Sequence, residues 1–236
     1  MPSLHAVRGL NDEFLGVPRS SSGSSEERAI AVIDAISRPA RMFTGDFYFT
    51  HRVGDRMWLA LGDVAGKGLP AAVVMAMIQE ELEARFTSCA EELCDPAETM
   101  QRLHDFLLPL MPQNRFATAV IAHLDTNGVL TLANGGHCPP LLVRADGTIE
   151  ELASTGPIVG LLRRAEWRSI TTTLDDGDTL ILYSDGITEA TRGEEELGVR
   201  GLRQIVRTAR TSREILEALA PYEHADDTTV VVVRRT

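Results

Sequence analysis

The sequence predicts an α+β protein built on antiparallel sheet, and three observations carry that prediction. Strand-like runs follow one another across short turn signals. Helical patterns are inserted in pairs between those runs. No strand–helix–strand alternation points to a parallel sheet. The 236 residues, 44% hydrophobic and 24% charged, are enough for one large core. Residues 20–25 (Ser-Ser-Ser-Gly-Ser-Ser) have flexible-linker composition, and nothing similar recurs downstream. The expected organisation is therefore a leader or interdomain linker over 1–28 and one domain over 29–236.

The elements follow in order. Ile30, Ile33 and Ile36 have helical spacing, which predicts a short helix within 26–37. Residues 46–50 and 57–61 read as strands joined through Gly54-Asp55. A Gly-rich loop over 62–68 leads to Pro70, which suits a first helical turn, and to a helix over 71–86 rich in Ala, Met, Glu and Leu. A second helix opens with Asp95 as N-cap, Pro96 in its first position and Glu98 in its third, a capping-box pattern; Met100, Leu103 and Leu107 form its buried stripe. Three hairpins are predicted next: 116–124 with 129–134 around Asn127-Gly128, 140–144 with 148–152, and 168–174 with 179–184. Helical patterns return at 199–209 and 212–219, and an apolar strand ends the chain at 229–234.

Composition excludes several classes of function. The net charge of −11 repels phosphate backbones and anionic lipid, arguing against general nucleic-acid or membrane-surface binding. Three cysteines (Cys89, Cys94, Cys138) without a C-x-x-C pair argue against a disulfide scaffold and a Cys-rich zinc site, and fit a reducing, cytoplasmic setting. No run approaches the roughly 18 apolar residues of a membrane span. The N-terminus lacks the pattern of a secretory leader.

Four aspartates share a placement at predicted strand ends: Asp46 opens one strand, Asp63 and Asp185 close two others, and Asp226 precedes the last. Strand ends can converge on one rim of a sheet. Carboxylates crowded there repel one another unless a cation lies between them, and hard oxygen ligands select Mg²⁺ or Mn²⁺ over zinc. The competing reading is turn chemistry, which is the expected role of Asp55, Asp125, Asp146, Asp176 and Asp178.

The combination resembles the metal-dependent PPM phosphatases, and within them the SpoIIE/RsbU-type bacterial serine phosphatases. The resemblance rests on Gly45-Asp46-Phe47-Tyr48, on Gly62-Asp63-Val64-Ala65-Gly66-Lys67-Gly68-Leu69-Pro70, and on Asn134-Gly135-Gly136-His137. It continues through Ser184-Asp185-Gly186-Ile187-Thr188-Glu189 and Asp226-Asp227-Thr228-Thr229, spanning roughly 38–235. It implies a two-layer antiparallel β-sandwich flanked by helices, with a centre of two Mn²⁺ or Mg²⁺ ions at one edge. Asp63 would bridge the ions and the Val64 carbonyl would ligate one. Asp185 and Asp226 would hold the other, with Asp46 binding directly or through water. It further implies in-line attack of water on phosphoserine or phosphothreonine of a regulatory protein, such as an anti-sigma-factor antagonist, without a phosphoenzyme. In this branch the segment before the domain joins sensor or receiver domains and can form a dimer switch. Here that segment lacks the usual Gln-x-x-Leu-Leu-Pro, and the family's second aspartate after Phe-Tyr is Phe49.

Three further features bear on the site. Arg41, five residues before Asp46, matches the offset of a phosphate-contacting arginine in many PPM enzymes; the alternative is a surface arginine. Gly66-Lys67 suggests a phosphate loop, but Gly62 and Gly66 bracket three residues rather than the Walker four, so nucleotide binding is rejected. His137 serves either as structural support beneath the site or as a proton donor. A non-catalytic phosphoprotein-binding or scaffold module on the same fold is the competing function.

Overall fold

A computed structural model describes residues 14–15, 30–40, 44–66, 68–89, 94–111 and 115–235. One antiparallel sheet contains β1 (Phe14–Leu15), β2 (Val32–Arg38), β13 (Thr228–Arg234), β10 (Thr179–Tyr183), β7 (Leu141–Val143) and β8 (Ile149–Glu151), in that spatial order. A second contains β3 (Asp46–Val53), β4 (Arg56–Val64), β5 (Ala117–Asp125), β6 (Val129–Gly135) and β9 (Ile170–Thr173). The helices are α1 (Leu69–Ser88), α2 (Pro96–Leu107), α3 (Asp185–Thr188), α4 (Gly198–Ile205) and α5 (Ser212–Ala218); β11 (Thr191–Arg192) and β12 (Glu195–Glu196) form a small hairpin.

Strand alternation builds the layers, because successive side chains point to opposite faces. On β4, Leu59 and Leu61 face Val231, Val233, Leu180 and Leu182 of the other sheet, forming the core between the sheets. The intervening Trp58 and Ala60 face outward and pack with Ile78, Leu82 and Phe86 of α1 and Met100, Leu103 and Leu107 of α2. On the opposite side, Val230 and Val232 of β13 pack with Leu202 of α4 and Ile215 and Leu216 of α5. The order is helices, sheet, sheet, helices, as the α+β prediction and the implied sandwich require.

Local chemistry fixes the helix ends. Asp95 caps α2 by accepting hydrogen bonds from the Ala97 and Glu98 backbone N–H groups at 2.8 and 3.3 Å. Thr211 caps α5 in a full capping box with Glu214. No described helix is long and apolar enough to cross a membrane.

Three expectations need correction. The segment expected to be a short helix is largely β2, paired with β13 from Arg38↔Thr228 to Val32↔Arg234. Its isoleucines satisfy a helical period, but a complete ladder beside β13 outweighs so short a pattern. The third expected hairpin does not form: β9 pairs with β6, whereas β10 pairs with β13 and β7. The turn at 175–178 therefore crosses between sheets; Asp178 holds it by accepting from the Ala145 and Asp175 N–H groups and pairing with Arg144 at 2.9 Å. Finally, Cys89 and Cys94 form a disulfide between the end of α1 and the start of α2. It is a single local link rather than a scaffold. The expected leader falls mainly outside the described residues, except that Phe14 and Leu15 pair with Ala35 and Asp34.

Candidate metal centre

Asp46 and Asp63 are opposed register partners at the open end of β3 and β4. The connection is tight: Val64 N–H donates to the Gly45 carbonyl at 3.1 Å, and a Cβ on Gly45 would fall 2.5 Å from Asp63 Oδ1. Glycine at 45 lets the two strand ends approach.

The other sheet supplies its carboxylates through β10 and β13. Asp185 is the first residue of α3, directly after β10, and Asp226 lies just before β13. Two hydrogen bonds, Ser184 N–H to the Thr229 carbonyl and Thr229 N–H to Ser184 Oγ, both 2.9 Å, lock these segments together. The sheets are joined at this rim by the Thr229 hydroxyl, which donates to Asp46 Oδ2 at 2.6 Å and stands 2.8 Å from the Ser37 hydroxyl.

The electrostatics show that these carboxylates share one environment. Burial pushes Asp63 up to about 7, with further upward pressure from Asp185, Asp226 and Asp227. Burial also pushes Asp46 up to about 7; hydrogen bonds from Thr229 and Ser184 oppose the rise, while Asp63 and Asp227 add to it. Asp185 is raised by burial and by Asp226. Acidic side chains from both sheets thus add to the cost of charge on Asp46, Asp63 and Asp185 at a single rim. Among the described residues no three acidic, histidine or cysteine side chains form a ready-made ligand cluster. The donor set is nonetheless all oxygen, accumulates negative charge and offers no thiolate or imidazole, which fits hard divalent ions and not zinc.

Asp46, Asp63, Val64, Asp185 and Asp226 are therefore brought to one edge. Arg41 and Lys67 lie outside the described residues. The flanks of Arg41 are held, however: Asp227 accepts from Ala40 N–H at 2.8 Å and from Gly45 N–H at 3.0 Å. Asp227 received no role from sequence reasoning, although it stands within the Asp226-Asp227-Thr228-Thr229 motif. The doubled aspartate was the available signal.

His137 is buried and anchored on several sides. Its backbone N–H donates to Asn134 Oδ1 at 2.8 Å, its carbonyl accepts from Asn134 Nδ2 at 3.1 Å, and its Nδ1 lies 2.8 Å from the Thr118 hydroxyl. Burial pushes its pKa down to about 4, so the imidazole is neutral near pH 7. Burial, with Asp185 and Asp46 nearby, pushes the Cys138 thiol up to about 12, leaving it a poor nucleophile. Two aspartates read as turn formers are such: Asp125 accepts from Asn127 and Val129 N–H groups, and Asp146 from Thr148 N–H.

Two packed antiparallel sheets between helix pairs are the architecture of the PP2C-type phosphatase domains. The chain superposes on the SiaA-PP2C domain of Pseudomonas aeruginosa with a TM-score of 0.74 at 20% identity, covering 86% of this chain and 85% of that one. It superposes on the RsbU and RsbW domains of Rv1364c from Mycobacterium tuberculosis with a TM-score of 0.73 at 24% identity, covering 86% and 61%. In sequence, the Stage II sporulation protein E (SpoIIE) family matches residues 53–236, and the chain belongs to that family. The phosphoserine phosphatase RsbU of Bacillus subtilis (strain 168) is 27% identical over an alignment of 214 positions, which covers 86% of this chain and 63% of the relative's length.

Proposed function

We propose that the chain is a Mn²⁺- or Mg²⁺-dependent protein phosphatase acting on phosphoserine or phosphothreonine of a regulatory protein. The observation that carries this reading is the shared environment of Asp46, Asp63, Asp185 and Asp226, drawn from both sheets to one rim. The similarity to the phosphoserine phosphatase RsbU supports the substrate class. By the family resemblance the target is a small phosphoprotein such as an anti-sigma-factor antagonist, and an upstream sensor or receiver domain and a homodimer are the expected regulatory partners.

A pair of hard divalent ions, when bound, supplies Lewis-acid polarisation of the phosphoryl group and lowers the pKa of a coordinated water. Asp63 and the Val64 carbonyl, with Asp185, Asp226 and Asp46, are the residues that would hold the pair. Thr229 orients Asp46 through its hydroxyl, and the Ser184–Thr229 pairing fixes Asp185 relative to Asp226. Asp227 anchors both ends of the segment carrying Arg41, whose guanidinium is proposed to orient the substrate phosphate. Neutral His137 and the protonated Cys138 thiol support this side of the site without supplying a nucleophile.

The test is hydrolysis of p-nitrophenyl phosphate and of phosphoserine peptides with added Mn²⁺, followed by phosphorylated candidate regulators from the same genome. Loss of turnover with EDTA and in Asp63→Asn is expected. Binding of phosphoproteins without turnover under any metal condition would favour the scaffold reading instead.

A further inference from the structure

Arg115 was not singled out in the sequence, yet it is built into the loop that follows Asp63. Its Nη1 donates to the Ala65 carbonyl at 2.9 Å, bridging fifty positions of chain. The Ala65 N–H in turn donates to the Phe116 carbonyl at 2.9 Å. One residue after Val64, the loop is thus gripped at both the N–H and the C=O of Ala65 by consecutive residues at the entrance to β5. The ladder immediately beyond continues the same attachment, with Val64 opposite Ala117 and Asp63 opposite Thr118.

The loop is shaped to admit the guanidinium. Gly66 has φ near 120°, and a Cβ there would fall 1.3 Å from Arg115 Nη1. Any side chain at 66 would displace the arginine as well as strain the backbone. Arg115 is half-buried and makes neither an ion pair nor a second side-chain hydrogen bond among the described residues. Its hydrogen bond is to the loop backbone, not to a carboxylate.

We propose that Arg115 is a positioning residue for the metal centre, clamping the Ala65 carbonyl so that the Val64 carbonyl and the Asp63 carboxylate hold their ligating orientation. The inference rests on the proposed metal centre. A charged donor fixed on a carbonyl makes a strong, directional hydrogen bond, and groups that orient metal ligands commonly matter to affinity as much as their position suggests.

The test measures Mn²⁺ binding by titration calorimetry on the purified protein, alongside kinetics on a phosphoserine peptide. Arg115→Ala is expected to weaken Mn²⁺ binding by about tenfold or more, with the peptide KM measured at saturating Mn²⁺ unchanged. Arg115→Lys, which keeps a donor, recovers part of the loss. Gly66→Ala is expected to weaken Mn²⁺ binding too, and adding Arg115→Ala to it brings little further loss, because the two changes remove one contact. Unchanged Mn²⁺ affinity in Arg115→Ala, with wild-type protein binding the metal, overturns this inference alone. So does a raised peptide KM with unchanged metal affinity, which would make Arg115 a substrate contact. A lowered melting temperature that Arg115→Lys restores without restoring Mn²⁺ affinity assigns it a merely structural role and overturns it as well. Wild-type protein that binds no Mn²⁺ overturns the metal centre and this inference together.

Discussion

Asp46 and Asp63 stand directly opposite each other across β3 and β4, two carboxylates in one register position at a rim that also carries Asp185 and Asp226. Opposed like charges on neighbouring strands are destabilising. A sequence selected only for stability would not keep them.

That arrangement predicts a trade of stability against function. Asp63→Asn removes the charge that meets Asp185, Asp226 and Asp227. In EDTA near pH 7.5 the variant should melt higher than wild type; each kcal/mol relieved raises the melting temperature of a chain this size by about 2–4 °C. Added Mn²⁺ should raise the wild-type melting temperature in a concentration-dependent way and leave the variant nearly unmoved. Thermal scans with EDTA and with a Mn²⁺ series check both. A variant that melts lower in EDTA and still responds fully to Mn²⁺ would contradict the crowded-rim account.

The Thr229 hydroxyl is a buried side-chain contact that joins the sheets at Asp46. Thr229→Val keeps the shape and removes the oxygen, leaving the buried Asp46 carboxylate without its 2.6 Å donor and the Ser37 hydroxyl without a partner at 2.8 Å. Leaving such groups short of a partner costs about 1–3 kcal/mol. The expected results are a lower unfolding free energy by denaturant titration and a Mn²⁺ affinity reduced by roughly tenfold. Thr229→Ser, which retains the hydroxyl, should recover most of both. Equal losses in the Ser and Val variants would show that the methyl group, not the hydroxyl, matters.

What was legible in the sequence divides along physical lines. The acidic positions were legible because glycines and apolar strands bracket them at fixed offsets, and the register then follows from alternation. Asp95 as a cap and the Asn127-Gly128 turn were legible because their chemistry is local. The route of the 175–178 turn was not: a Gly-containing turn between two strand-like runs reads as a hairpin whether its strands pair with each other or with partners in different sheets. Asp178 shows the same limit. Its spacing is that of a turn residue, while its ion pair with Arg144 is visible only once β7 and β10 are adjacent. β2 failed for a related reason, since its partner β13 lies at the far end of the chain. Asp227 and Arg115 bind backbone groups of distant segments, and no local pattern encodes that.

His137 predicts a specific pH dependence. Its folded pKa, about 4, lies below the ordinary 6.5 because burial disfavours the imidazolium. Between those values the unfolded chain binds the proton and the folded chain does not, so stability is fully present above pH 6.5 and lost as pH falls toward 4. The contribution is about 3 kcal/mol over that window. Asp46 and Asp63, with raised values, push the slope in the opposite direction, so the total is not diagnostic. The difference between wild type and His137→Asn is. Urea unfolding at several pH values from 4.5 to 7.5 should show the variant's stability falling less steeply with acid than wild type's. Parallel slopes would mean that His137 is not buried in a neutral form.

At Gly186 the segment bearing Asp185 lies close against the backbone of the segment bearing Asp226. A Cβ there would fall 2.0 Å from the Asp227 carbonyl oxygen and 3.1 Å from that of Asp226. Both obstacles are backbone atoms, and the backbone is held by Asp227 N–H donating to Asp226 Oδ1 at 2.9 Å and by the Ser184–Thr229 pair. Neither contact can be relieved by turning a side chain. Gly186→Ala must therefore push α3 away from the strand leading into β13, separating Asp185 from Asp226. Misplacement near 1 Å is enough to cost about a hundredfold in rate at a positioned site. The expected outcome is a soluble protein with lowered melting temperature, weakened Mn²⁺ binding and turnover reduced by about that factor. Gly193→Ala is the control: that glycine lies beyond α3, between β11 and β12, has φ of 66°, and a Cβ there meets nothing within 4 Å. It should cost some stability through backbone strain while leaving Mn²⁺ affinity unchanged. If Gly186→Ala binds Mn²⁺ as tightly as wild type, then the spacing of Asp185 and Asp226 does not govern the site.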